Sequence, residues 1–243
     1  MEIASLFRRI AAMATLILSG EAAFAQSTSS VSGPQVSPGS AIEFRAGAAE
    51  TNDDTVFSYR LSGAHAITDT LRVRAIAGWQ DGENTGPQFS YIEADLLWQF
   101  YGREPYAPYK SALRIDVRQD ERREQQRIGV NWLNQIDLTP HWRTRLMASV
   151  DKEFNSANDD GVTLETRARL SRRLPNDMRL GFDLYSSWGR TEDDFSNQRH
   201  LGGATLSGPG PVDTNWTIGA LTGLSDAAPD AVFQFRLSRS LAN

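Results

Sequence analysis

The chain has 243 residues, a formal net charge of −5 and no cysteine. That length suits one all-β domain, and the missing cysteine excludes disulfides, thiolate metal sites and an acyl-cysteine lipid anchor. A mean hydropathy of −0.42 is too polar for a hidden helical span, yet fits a transmembrane barrel, in which only alternate residues meet lipid.

Residues 1–25 carry the three parts of a signal peptide in order. Arg8 and Arg9 give a positive start, residues 10–18 are apolar, and Ala23-Phe24-Ala25 is a small-x-small cleavage site. Export to the outer membrane and a mature chain starting at Gln26 are expected. Residues 26–40 are rich in Ser, Pro and Gly, which predicts a flexible lead-in.

The barrel is predicted over residues 41–243, as twelve strands. The pattern is plainest over residues 138–150, LTPHWRTRLMASV. A Thr-Pro turn precedes alternation of Trp142, Thr144, Leu146, Ala148 and Val150 with Arg143, Arg145, Met147 and Ser149. Side chains alternate between the two faces of a strand, so one face is apolar and the other basic. The units AITDTLRVRAIAGW and LPNDMRLGFDLYSSW repeat the pattern. The first five strands are anchored by Phe44, Tyr59, Val73, Leu96 and Ile115, and the sixth by Val130. The eighth and ninth are anchored by Leu170 and Phe182. Residues 201–206 and 216–223 are Gly- and Thr-rich, so their faces are hard to assign. The twelfth strand carries Phe233, Phe235 and Leu237. Short turns alternate with longer acidic loops, the arrangement of an outer-membrane barrel, and an even strand number puts both ends on the short-turn side.

A soluble barrel would place the apolar face inside. Strands of about nine to eleven residues are long enough to cross a bilayer at a tilt. Trp79, Trp98, Trp132, Trp142, Trp188 and Trp216 fall near predicted strand ends, where aromatic girdles form. The expected lumen then holds Arg45, Arg60, Arg72, Arg74, Arg114, Arg118, Arg127, Arg143, Arg145, Arg167, Arg169, Arg179 and Arg236. Its acidic partners are fewer, among them Glu93, Asp95, Asp116, Glu165 and Asp183. Two functions fit such an interior. It is either a plug of paired charges or a narrow pore whose excess guanidinium groups favour anions.

The loops carry acidic pairs, Asp53-Asp54, Asp159-Asp160 and Asp193-Asp194. Solvated loop tips explain them better than calcium ligands. His65, His141 and His200 show no metal spacing, and no HExxH, GxSxG or P-loop pattern occurs. No cofactor or metal is expected. Asp193, Asp194 and His200 are the local candidates for a rim hydrolase, but the sequence reads as a non-enzyme. An acidic exposed surface argues against nucleic-acid binding.

These units, with the signal peptide, resemble Gram-negative outer-membrane β-barrel proteins over residues 41–237. Size, strand number and the arginine-rich inner face look like the small oligogalacturonate-type porins, monomeric channels for acidic oligosaccharides. That resemblance implies a twelve-stranded antiparallel up-and-down barrel and a narrow anion-leaning channel. It also implies outer-membrane lipids, lipopolysaccharide, the barrel assembly machinery and small anionic solutes as partners. The alternative is a non-conducting barrel acting through its loops. The class usually ends in an aromatic residue; here Phe233 and Phe235 are in place but Asn243 is last.

Overall fold

The computed structural model describes residues 27–51, 54–81, 86–104, 106–121, 125–154, 161–192 and 195–241. The proposed signal peptide lies outside them. So do Asp53, Asp159, Asp160, Asp193 and Asp194 of the acidic loops.

Twelve strands follow in chain order: β1 Ser40–Thr51, β2 Asp54–Ala66, β3 Leu71–Asp81, β4 Gln88–Tyr101, β5 Tyr109–Asp120 and β6 Gln126–Asp137. Then come β7 Trp142–Phe154, β8 Val162–Arg173, β9 Arg179–Arg190, β10 Arg199–Pro209, β11 Thr214–Gly223 and β12 Ala231–Leu241. Each pairs with its neighbours in sequence, and β1 pairs antiparallel with β12, closing the barrel. Closure removes every free sheet edge. The Gly- and Thr-rich β10 and β11 pair over nine positions from Leu201–Gly223 to Pro209–Asn215.

The short turns share a chemistry written in the sequence. In the β2–β3 turn the Thr68 hydroxyl accepts from the amides of Thr70 and Leu71, at 3.2 and 3.0 Å. In the β6–β7 turn Thr139 accepts from His141 and Trp142 at 3.2 and 3.0 Å. A threonine hydroxyl that takes up the next free amides holds a tight reversal. The β8–β9 turn instead places Asn176 at φ 60°, a left-handed conformation that Asn tolerates better than most residues.

Ile42, Phe44, Leu96, Val130, Phe182 and Phe235 are exposed on the outer wall, while Arg45, Arg74, Asp95, Asp116 and Asp183 are buried. The soluble-barrel arrangement is therefore not the one adopted. The tryptophans all lie on the outward phase. Trp98, Trp142 and Trp216 lie toward the short-turn end, Trp79 and Trp188 toward the loop end. Trp132 departs from the expectation and sits in the middle of β6. The strand runs on past it because outward Asn134 has partners: it accepts from the Tyr109 hydroxyl at 2.6 Å and from Ser111 at 3.0 Å. The Trp132 indole in turn donates to Ser111 at 2.9 Å.

Residues 27–39 also differ from the expectation. Composition predicted a flexible lead-in. Residues 27–36 instead run inside the barrel, with Ser27, Val31 and Pro34 fully buried, and Ser37 and Pro38 emerge to exposed positions before β1. The lumen offers apolar seats that a strand-by-strand reading does not register. Val31 packs with Ala49, Tyr185, Leu201, Leu221 and Val232, and Val36 packs against Leu97, Ala112, Leu133 and Met147. Full burial of one valine contributes about 1.5–3 kcal/mol.

Candidate functional site in the lumen

The inward phase of the strands builds a charged wall. Arg74 stands directly opposite Asp95 on β4, and its Nε donates to Asp95 at 2.6 Å. Arg169 is opposite Asp183 on β9 and grips it with two hydrogen bonds of 2.6 Å. Arg127 reaches three carboxylates, Glu93 at 3.5 Å, Asp151 at 3.6 Å and Asp116 at 3.9 Å. Arg114 donates to Asn131 at 2.7 Å, and Asn131 donates on to Asp116 at 2.7 Å. Arg167 holds Glu165 at 2.7 Å. Arg118 pairs with Asp120 at 2.6 Å and lies over the Tyr91 ring at 3.7 Å. That ring occupies the space over Gly78, where a Cβ would come within 2.1 Å of it, so only glycine fits there.

Other positions bring like charges together. Arg45 is directly opposite Arg60 on one side and Arg236 on the other. Arg145 faces Arg169, and Arg118 faces Arg127. Like charges opposed on neighbouring strands are destabilising unless a counter-charge intervenes. Glu43 does this at one place, accepting from Arg45 at 2.7 Å and Arg236 at 2.6 Å. Arg143 finds Asp137 at 2.5 Å. Among the described residues, Arg60, Arg72 and Arg145 have no carboxylate at ion-pairing distance. The Nε atoms of Arg60 and Arg72 are buried without a hydrogen-bond partner. Arg145 has only the neutral Gln135 side chain, at 2.9 Å. Arg179, at the start of β9 beside the β8–β9 turn, is half-buried.

The threaded segment completes the interior. The Thr28 carbonyl accepts from Arg45 at 3.0 Å, and the Val36 amide donates to Gln99 at 3.1 Å. At Gly47 a Cβ would lie 2.2 Å from the Ser27 carbonyl oxygen, so the close approach needs glycine. A cavity of about 60 Å³ remains between Thr28, Ser29, Ser30 and Ser32 on one side and the charged wall on the other. The apolar seats were the part of the interior that sequence reasoning missed. Their signal was present: the inward phase turns apolar at Leu97, Ala112, Leu133 and Met147 on four consecutive strands.

The rim offers less. His200 lies edge-on to Trp188 with ring centroids 5.2 Å apart, and its Nε2 is 3.3 Å from Gln198. Its supposed acidic partners lie outside the described residues. Among the described residues no group of three or more His, Asp or Glu side chains is placed to hold a metal.

Twelve antiparallel strands, an apolar outer wall and a charged lumen define the fold of a small porin-type barrel. Solved outer-membrane structures share it, among them the following. The KdgM porin in complex with disordered oligogalacturonate superposes with a TM-score of 0.62 at 9% identity, over 83% of this chain and 99% of that one. The NanC porin gives 0.58 at 10% identity, over 83% and 100%. An outer-membrane channel from Pseudomonas putida F1 gives 0.57 at 12% identity, over 86% and 98%. At such identities the likeness is one of fold. No protein-family model matches the chain, and no curated protein matches its sequence.

Proposed function

We propose that this protein is an outer-membrane channel whose lumen favours anions, with small acidic solutes as its cargo. The observation that carries the reading is the set of lumen guanidinium groups without carboxylate partners, Arg60, Arg72 and Arg145, beside the opposed pairs at Arg45. In a low-dielectric wall an uncompensated cation lowers the energy of an entering anion. The fold shared with the KdgM porin, solved with an oligogalacturonate, supports acidic oligosaccharides as the solute class. Acyl chains and lipopolysaccharide surround the apolar wall, the outward tryptophans near the strand ends serve as interfacial anchors, and the barrel assembly machinery inserts the chain.

The test is planar-bilayer conductance under a salt gradient. It is read on refolded residues 26–243 and on a chain lacking residues 26–36, since residues 27–36 narrow the lumen. Discrete steps with an anion-selective reversal potential are expected. Replacing Arg60, Arg72 and Arg145 together with Gln should move that potential toward zero. An unchanged potential would count against the reading. A second reading, a non-conducting barrel acting through its loops, draws on the filled interior; silence from both refolded chains would favour it.

A further inference from the structure

We infer that residues 27–36 are an autoinhibitory plug, a part of the chain that closes the lumen when docked and opens it when released. The inference rests on the channel reading above.

Three observations carry it. The segment occupies the space a solute needs, and the cavity beside it holds only a few water molecules. Its docking is specific. Val31 sits with Tyr185, Leu201 and Val232, and Val36 sits in a separate seat with Leu133 and Met147. The Thr28 carbonyl meets Arg45, the Val36 amide meets Gln99, and Gly47 makes room for the Ser27 backbone. Its hold is also of a kind that releases. Residues 27–36 contain no charged side chain, so the segment makes no ion pair with a wall full of charge. A carbonyl at Arg45 is a weaker partner for a guanidinium than a carboxylate or phosphate is. An entering anion therefore competes for the same group.

The chain has no native cysteine, so one engineered pair can be oxidised without rivals. The Ser27 and Ser58 hydroxyls are 2.7 Å apart, close enough for Ser27→Cys with Ser58→Cys to bridge. The refolded double variant is measured in bilayers oxidised and reduced, beside the wild type and a chain lacking residues 26–36. Folding of each is checked by heat-modifiable mobility. The expected result is a cross-link in the folded barrel and a silent or smallest-step oxidised form. Reduction should restore wild-type behaviour, and the shortened chain should conduct with steps several-fold larger. Equal steps from every form would overturn the plug and leave the channel reading intact. A folded double variant that does not cross-link would overturn the docking itself. Cross-linking with silence from every form, the shortened chain included, would sink the channel reading and leave nothing for the segment to gate.

Discussion

Arg169 and Asp183 face each other across β8 and β9 and are joined by two hydrogen bonds of 2.6 Å, with Asp183 fully buried. The Tyr185 and Thr205 hydroxyls also donate to this carboxylate, at 3.1 and 3.4 Å. Removing one partner of such a pair strands the other. Asp183→Ala should cost about 3–5 kcal/mol, while Arg169→Met with Asp183→Leu should cost far less. Denaturant titration of the refolded barrel in detergent, read as a double-mutant cycle, checks this. A double variant that loses the sum of what Arg169→Met and Asp183→Leu each lose alone would show that the pair is not coupled.

The close approach at Gly47 makes a local prediction. Gly47→Val places side-chain atoms where the Ser27 carbonyl lies. The barrel should fold, but residues 27–36 should leave their seats and become cleavable by protease. Protection as strong as in the wild type would show that the segment can shift and stay docked.

The outer wall makes another. Val130 is exposed on the outward phase of β6. Arginine on a lipid-facing strand costs about 2–4 kcal/mol near the midplane. Val130→Arg should lower stability by about that amount in lipid vesicles, and Gln198→Arg at the loop end should be close to neutral. The ratio of the two denaturant midpoints decides whether this face meets hydrocarbon.

Salt should weaken the selectivity set by the arginines. Screening lengths shrink from about 10 Å at 0.1 M to about 3 Å at 1 M. The anion preference of the conducting form should fall across that range. Selectivity indifferent to salt would point to a narrow constriction rather than a charged wall.

The sequence made the barrel legible because its two faces differ so sharply in charge. Phe44 beside Arg45 and Val73 beside Arg74 reveal period, phase and strand number at once. Pairings were less accessible. Alternation places Asp95 and Asp183 inside, but only the register sets one against Arg74 and the other against Arg169. Alternation alone places Trp132 near a strand end, whereas polar, outward Asn134 carries β6 onward through hydrogen bonds to partners remote in sequence. The threaded segment was least legible. Its composition is that of a linker, and its order comes from seats contributed by residues remote in sequence. Val31 and Val36 alone in a Ser- and Pro-rich stretch were the available hint.

The seam between β1 and β12 bears on how the molecule is made. It joins the two ends of the chain, from Ser40–Leu241 to Glu50–Ala231. Hairpins such as β5–β6 are local and can zip early, whereas this pairing has the highest contact order in the sheet and is slow to form. Until β12 is delivered, β1 presents an open template to any other strand. A chain lacking residues 231–241 is therefore a sticky intermediate, and β12 is the strand that leaves the sheet with no open edge.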